Sequence, residues 1–183
     1  MKDCPERIRS IFAALDLSTD LIQARSLVLY PEAQELVVAA KDDDGREYRL
    51  TPGAAAAWRR MNAAASSDGV VIKIVSAFRS VDRQVEILRE KLAQGASLGA
   101  ILAVSAPPGY SEHHTGCAID ITTHGVRPLE VEFENTSAFQ WLSKNAAQFG
   151  FVLSFPPGNR YGYEYEPWHW CYKPDDVKPD ITA

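Results

Sequence analysis

The distribution of strand-like segments most constrains the fold of this chain, because these segments fall in clusters with helices between the clusters. A doubly wound parallel sheet needs strands and helices in regular alternation, and the sequence lacks that rhythm. The sequence therefore predicts an α+β domain. Its 183 residues are close to the ~150-residue norm for one domain, so we expect a single domain over residues 1–183.

Helices are predicted where apolar residues repeat at helical spacing behind a capping residue. Thr51 followed by Pro52 opens one such helix, and Ser80 opens another that Gly95 is placed to end. The predicted helices cover residues 8–15, 52–65, 81–94, 98–104 and 135–149.

Strand-like runs are apolar segments, several of them bounded by Gly, Pro or Asp. They lie at residues 26–30, 35–40, 47–50, 70–76, 117–122, 151–154 and 168–172. The first three predict a β-meander. The run at 70–76 is mostly β-branched, so we expect a buried strand there, and the Pro- and Asp-rich segment 173–183 is predicted to be a tail.

Composition and charge exclude several classes of protein. There are 19 Lys and Arg against 24 Asp and Glu, a net charge of −5, and no basic run that would suit a nucleic-acid backbone. The three cysteines, Cys4, Cys117 and Cys171, cannot all pair within one chain, so no disulfide framework is expected. No segment approaches the ~20 apolar residues of a membrane span.

The amino-terminal segment bears on localisation. It contains basic residues but lacks an apolar stretch of ~7–15 residues followed by a cleavage site, so it does not look like a secretory signal. The sequence as given predicts a cytoplasmic protein. Action in the periplasm or cell wall is possible if a leader is missing from the given sequence or if the protein is exported by another route.

Three of the four histidines stand in two short clusters with other side chains that bind metals. The first cluster, SEHHTGCAID, contains His113 and Asp120, and the second, EPWH, contains Glu166 and His169. A histidine on a loop and an aspartate in the following strand can converge on one ion if the chain reverses at Gly116. The clusters thus offer two imidazoles, one ligating carboxylate and one free carboxylate.

This inventory suits a catalytic zinc ion, which takes three protein ligands and leaves a position for water. Zinc can lower the pKa of water to roughly 7, and a nearby base must then accept the proton. Glu166 is the candidate base, with Glu112 and Glu164 as competing carboxylates. A 2-His-1-carboxylate set also suits Fe(II) oxygenases, but the position of Glu166 favours hydrolysis.

Neighbouring residues leave alternatives open. His114 adjoins His113 and offers the same chemistry, whereas His124 stands apart in a predicted loop. Cys117 and Cys171 flank the ligands, which makes a mixed Cys/His structural site an alternative. A free Cys is also an ordinary small buried residue, and we favour that interpretation for both.

The two clusters resemble those of VanY-type D-alanyl-D-alanine carboxypeptidases, zinc peptidases of the group that includes lysostaphin-like enzymes and the hedgehog signalling domain. The resemblance rests on H-x-x-G-x-A-x-D at residues 113–120, preceded by Ser111 and Glu112, and on E-P-W-H at residues 166–169. It extends upstream to S-A-F-R-S at residues 76–80. It covers about residues 70–172, and residues 1–50 are less similar to the family.

The resemblance implies a ligand set. His113, Asp120 and His169 would be the zinc ligands, and Glu166 would be the catalytic base. The family spacing selects His113 over His114. The implied fold is a small antiparallel sheet that carries the zinc site and is flanked by helices.

The resemblance also implies substrate-binding residues. Arg79 would bind the substrate and stabilise the developing oxyanion, with Gln84 and Ser111 as further substrate contacts. A planar guanidinium also suits a carboxylate, so Arg79 could instead hold the terminal carboxylate of the substrate. An ion pair or a helix cap is the structural alternative for Arg79.

The implied activity is zinc-dependent removal of the terminal D-Ala from peptidoglycan stem peptides or D-Ala-D-Ala-containing precursors. L,D-carboxypeptidase, D,D-dipeptidase and stem-peptide endopeptidase activities are alternatives within the same group. A non-catalytic, metal-stabilised binding module is a further alternative. Glu166 argues against that module, because a structural zinc needs no positioned base.

Overall fold

Two antiparallel sheets and six α-helices form residues 5–173, the part of the chain that this computed structural model describes. The strands are β1 (Val37–Lys41), β2 (Glu47–Leu50), β3 (Lys73–Ser76), β4 (Ala118–Thr122), β5 (Phe151–Leu153) and β6 (His169–Tyr172). The helices are α1 (Glu6–Ala14), α2 (Asp20–Ala24), α3 (Pro52–Ser67), α4 (Val81–Ala93), α5 (Leu98–Val104) and α6 (Ser137–Asn145). Short 3-10 helices cover Glu112–Thr115, Val131–Asn135 and Ala146–Phe149. The predicted α+β class is confirmed.

The larger sheet has the strand order β3, β4, β6, β5, and each neighbouring pair is antiparallel. β6, the last of these strands in sequence, therefore lies between β4 and β5. The pairing of β4 with β6 places Asp120 opposite His169. Side chains of directly paired residues lie on the same face of a sheet, so these two are close neighbours.

Both predicted helix caps form. The Thr51 hydroxyl accepts a hydrogen bond from the Ala54 amide at the start of α3, at 3.4 Å. The Ser80 hydroxyl accepts one from the Arg83 amide at the start of α4, at 3.1 Å. α4 ends just before Gly95, which has a φ of +86°. Local sequence therefore determines where these helices begin.

Apolar side chains form two clusters of buried residues. The first contains residues of α3, α6 and both sheets, among them Trp58 and Ile119. The second contains residues of α1, α4 and α5, among them Phe12, Leu88 and Ile101. The larger sheet thus draws its apolar support from the first cluster.

The predicted β-meander is wrong, because residues 26–30 form no strand and only the hairpin of β1 and β2 is present. Ser26 has a positive φ of 50°, which interrupts an extended segment at its first residue. The Tyr30 amide donates to the carbonyl of Gly109, so a loop holds this segment. Helix α2, just before it, was not predicted.

Two further expectations need correction. The predicted buried strand at residues 70–76 is shorter and lies at the edge of its sheet, with Val71 45% exposed, because β-branched residues favour strands without requiring burial. The predicted helix at 135–149 is divided into α6 and a 3-10 helix. Cys4 and residues 174–183 of the predicted tail lie outside the described residues. Within residues 5–173, no helix has the length and apolar character needed to cross a membrane.

Candidate active site

A tight turn carries His113 into position. The Ser111 hydroxyl accepts a hydrogen bond from the His113 amide at 3.3 Å and so caps the 3-10 helix. Gly116 ends this helix with a φ of +65°, and a Cβ there would lie 2.8 Å from Cδ2 of Leu36. Residues with a side chain rarely adopt this backbone conformation, so the reversal into β4 requires glycine.

Three buried side chains, those of His113, Asp120 and His169, meet in a group that could hold a metal ion. One ligand atom from each lies within 4.8 Å of the others, and no second such group of His, Cys, Asp or Glu occurs within residues 5–173. Nε2 of His113 is 3.2 Å from Oδ2 of Asp120, and Nδ1 of His169 is 3.1 Å from Oδ1. The structure therefore brings together the three predicted ligands.

Hydrogen bonding and burial prepare these groups to bind a cation. Nδ1 of His113 donates to the carbonyl oxygen of Ala77 at 2.7 Å, because a carbonyl can only accept, and this leaves the Nε2 lone pair facing Asp120. Burial lowers the pKa of His113, which favours the neutral imidazole that a metal needs. Burial alone would raise the pKa of Asp120, but the neighbouring imidazoles, His113 and His169, hold it below its usual range.

Glu166 lies beside this group. Oε2 of Glu166 is 3.7 Å from Nδ1 of His169, the nitrogen that also faces Asp120. The Glu166 amide donates to the carbonyl of Phe155, which fixes the backbone just before β6. Burial raises the pKa of the Glu166 carboxyl to about 7, where the group can both accept and donate a proton near neutral pH.

The competing carboxylates also line the cleft, and each has a different relation to the potential metal group. Oε2 of Glu112 is 3.0 Å from Nε2 of His169, the ring nitrogen that does not face Asp120. Glu164 is exposed at the wall of the cleft, and it is not part of the potential metal group. Besides Asp120, the carboxylate that lies close to Nδ1 of His169 is therefore Glu166.

Arg79 reaches the group from the segment between β3 and α4. One of its terminal nitrogens is 3.9 Å from Oδ2 of Asp120 and donates to the hydroxyl of Ser76 at 3.0 Å. The other terminal nitrogen donates to Oε1 of Gln84 at 3.0 Å, and the side-chain Nε2 of Gln84 donates to the carbonyl of Ala106 at 2.7 Å. Gln84 is fully buried behind Arg79, so any influence on a substrate would act through the guanidinium.

The remaining candidates have other environments. The buried ring of His114 joins two backbone segments, because Nε2 accepts from the Gly109 amide at 3.1 Å and Nδ1 donates to the Arg79 carbonyl at 2.6 Å. His124 is exposed. Cys117 and Cys171 are free thiols, and within the described chain neither belongs to a potential metal group. The mixed Cys/His site is therefore wrong.

A cleft of about 700 Å³ opens onto the metal group. Its lining includes the side chains of Arg79, Lys91, Ser111, Leu129, Tyr163 and Glu166. Lys91 and Leu129 were not predicted, because a surface Lys or Leu has no distinguishing local pattern. Leu129 is 48% exposed and has a positive φ of 61°, which is unusual for a residue of its size.

The fold and the site define a class of protein, namely an α+β domain whose antiparallel sheet carries three potential metal ligands in an open cleft. Comparison with known proteins gives its family. The family model described as VanY, D-alanyl-D-alanine carboxypeptidase, matches residues 47–175. The chain therefore belongs to the VanY family, as the two sequence clusters implied.

Curated relatives agree with this assignment. A D-alanyl-D-alanine carboxypeptidase of Enterococcus faecalis (strain ATCC 700802 / V583) is 34% identical over 119 residues, which are 60% of this chain and 42% of that protein. The putative carboxypeptidase YodJ of Bacillus subtilis (strain 168) is 38% identical over 122 residues, 65% of this chain and 44% of that protein. This chain thus matches less than half the length of either relative.

Solved structures share the fold. The LD-carboxypeptidase LdcB superposes with a TM-score of 0.70 at 32% identity, over 80% of this chain and 72% of that one. A mutant of the vancomycin resistance D,D-pentapeptidase VanY in complex with Zn(II) has a TM-score of 0.60 at 30% identity, over 81% of this chain and 87% of that one. VanYB in complex with D-alanine-D-alanine has a TM-score of 0.62 at 28% identity, over 82% of this chain and 86% of that one.

Proposed function

We propose that this chain is a zinc-dependent D-alanyl-D-alanine carboxypeptidase that removes the terminal D-Ala from peptidoglycan stem peptides or their precursors. One observation carries the proposal: His113, Asp120 and His169 converge at an open cleft with Glu166 beside them. A purely structural zinc site would need neither the cleft nor this fourth carboxylate. Family membership and the zinc and D-alanine-D-alanine complexes of related proteins support the same activity.

The donor set fits zinc. Two imidazole nitrogens and one carboxylate are ligands that catalytic zinc takes, and three protein ligands leave a coordination position open. His113, Asp120 and His169 would hold the ion. When bound, zinc supplies Lewis-acid chemistry, which polarises the scissile carbonyl and lowers the pKa of water to roughly 7.

Glu166 is the proposed general base and general acid. Its carboxylate accepts a proton from the water that attacks the scissile carbonyl carbon. The C–N bond to the terminal D-Ala then breaks, and Glu166 returns the proton to the leaving amine. A pKa raised to about 7 by burial suits both transfers.

Arg79 is the proposed substrate-binding cation. Its guanidinium lines the cleft, where it can stabilise the developing oxyanion or hold the substrate's terminal carboxylate with two parallel hydrogen bonds. Ser111 also lines the cleft and is proposed to contact the substrate. We assign Gln84 a positioning role, because it holds the guanidinium of Arg79 from the buried side.

A pentapeptide that ends in D-Ala-D-Ala provides the direct test. We expect the zinc-loaded chain to release one D-Ala, detected as the mass loss of the peptide. Failure of the metal-replete chain to cleave any muropeptide would overturn the proposal. A chain that binds zinc without cleaving would instead be a metal-stabilised binding module.

Two variants separate catalysis from metal binding. Glu166→Gln should bind zinc like the parent but lose roughly 10²–10⁴-fold in kcat, because proton transfer is lost. His113→Ala should lose both zinc and activity. Glu90→Gln is the control, since Glu90 is exposed on α4 and pairs with Arg83. Parent-like turnover by Glu166→Gln would contradict the mechanism.

L,D-carboxypeptidase activity is the second candidate, favoured by the TM-score of 0.70 and 32% identity with LdcB. Parallel incubations with a tetrapeptide, a pentapeptide, free D-Ala-D-Ala and a cross-linked muropeptide distinguish the candidates. Cleavage of the tetrapeptide alone would assign the L,D activity. Cleavage of the free dipeptide or the cross-link would assign dipeptidase or endopeptidase activity.

A further inference from the structure

Glu112 makes contacts that the proposed hydrolysis does not use. It is only 3% exposed, and its two carboxylate oxygens face different side chains. Oε2 is 3.0 Å from Nε2 of His169, and Oε1 is 2.8 Å from Nζ of Lys173. Burying an ionised carboxylate costs free energy unless it is paired and hydrogen-bonded. The contacts with His169 and Lys173 meet that requirement and connect Glu112 to one of the potential metal ligands.

The two ring nitrogens of His169 face different partners. Nδ1 is 3.1 Å from Asp120 and 3.7 Å from Glu166, on the side where the potential ligands converge. Nε2 faces Glu112. Ionised carboxylates only accept hydrogen bonds, and both Asp120 and Glu112 face this ring; a cation held beside Asp120 would take the place of a proton on Nδ1, whereas Nε2 keeps its proton for Glu112.

We propose that Glu112 is a positioning residue that accepts the Nε2 proton of His169 and fixes Nδ1 as the ligand atom, while Lys173 balances its charge. The inference rests on the proposed zinc site. A carboxylate behind a metal-ligating imidazole fixes its tautomer and orientation and strengthens it as a ligand. Because the same 3-10 helix carries His113, one turn supplies one ligand and orients another.

Glu112→Gln tests the tautomer. The Lys173 ammonium only donates, so the glutamine oxygen turns toward Lys173 and its NH₂ group faces Nε2 of His169. Nε2 must then accept, which moves the proton to Nδ1 and blocks the ligand atom. We expect zinc affinity to fall about 10–100-fold, measured by competition with a chromophoric chelator, and Glu90→Gln to match the parent.

The double variant Glu112→Gln with Lys173→Met distinguishes a positioning role from a merely structural one, because the two roles predict opposite changes in zinc affinity. Without the ammonium, the amide can rotate, because the Tyr30 hydroxyl 3.5 Å from Oε1 can accept from the NH₂ group as well as donate, and the amide oxygen can then accept the Nε2 proton of His169. Zinc affinity should then recover toward the parent value, relative to Glu112→Gln alone. If Glu112 and Lys173 only stabilise the fold, losing both partners leaves affinity as low or lower, and that outcome overturns the inference.

A spectroscopic measurement on the unmutated chain covers the case in which the variants do not fold. In the zinc-loaded parent, the Nε2 proton of His169 should resonate far downfield and exchange slowly with water, because its acceptor is a buried carboxylate. With only four histidines, few ring signals compete with it. Absence of this proton overturns the inference.

These measurements also separate the two proposals. A parent chain that binds no zinc overturns the proposed function together with the role of Glu112. A parent that binds zinc and cleaves the pentapeptide, with unchanged affinity in Glu112→Gln, overturns only the role of Glu112.

Discussion

Gly116 and Gly125 share a left-handed backbone but not their surroundings. Their φ values are +65° and +82°, and both would be strained by any side chain. A Cβ at residue 116 would lie 2.8 Å from Leu36 and 3.2 Å from Ala33, whereas nothing lies within 4 Å of residue 125. Conformational strain and steric clash can therefore be measured separately at these two positions.

Gly116→Ala should lower the free energy of unfolding by roughly 2–5 kcal/mol, the sum of the left-handed backbone strain and the cost of displacing neighbouring side chains. Gly125→Ala should cost about 1–2 kcal/mol, from strain alone. Urea unfolding of the two variants measures the difference. Zinc affinity should fall only in Gly116→Ala, whose turn carries His113, and equal effects at both sites would contradict this account.

The Glu166 carboxyl should control how kcat/KM falls on the acid side of its pH profile. A general base acts when deprotonated, and burial raises the pKa of this group from 4.5 to about 7. A bound metal cation lowers that pKa, so kcat/KM should fall as pH drops through a limb between about 4.5 and 7. Initial rates across this range test the expectation. A profile that stays flat would exclude Glu166 as the base.

At the scale of elements, the site depends on β4 and β6 more than on the helices of the second apolar cluster. Ile119 lies on β4 beside Asp120, and Leu88 lies on α4, and both are fully buried. Their side chains have the same number of carbons, so truncation removes equal apolar volume from the two clusters.

Ile119→Ala and Leu88→Ala should each lower the free energy of unfolding by roughly 2–5 kcal/mol, because each leaves a cavity. Only Ile119→Ala should weaken zinc binding, since its cavity lies beneath the strand that carries Asp120. Chemical denaturation and zinc titration of both variants provide the measurements. A larger loss of zinc affinity in Leu88→Ala would contradict this division of roles.

Elements with strong local signals were predictable. The run at 168–172 predicted β6 to within one residue, and the two ligand clusters, with the family spacing that selects His113 over His114, predicted the residues that meet at the site. Pairing between distant segments was not predictable, as with Glu112 and Lys173, which are 61 residues apart. Residues 26–30 have the composition of a strand, but strand formation requires a partner that a local pattern does not reveal.

At the scale of the whole molecule, a metal ion would join segments that are distant in sequence. His113 and Asp120 come from one stretch, and His169 comes from another, 49 residues after Asp120. A ligand that binds only the folded chain stabilises it, by about 2.7 kcal/mol at a hundredfold excess over Kd. Metal binding and folding should therefore be coupled.

Removing metal with a chelator should lower the Tm of the parent, and adding zinc should restore it. Asp120→Ala should melt at a lower temperature than the zinc-loaded parent, and its Tm should respond little to zinc, because a ligand is missing. Thermal unfolding followed by circular dichroism measures both effects. A parent Tm that is independent of zinc would show that the ion contributes nothing to folding.

The position of β6 between β4 and β5 has a consequence for synthesis on the ribosome. β6 is one of the two interior strands of the larger sheet and the last of its strands to be translated, so β5 cannot hydrogen-bond to the rest of that sheet until β6 emerges. His169 arrives with the same strand. A nascent chain therefore completes its sheet and its cation pocket in one late event, and ribosome-stalled chains that lack residues 169–172 should contain neither.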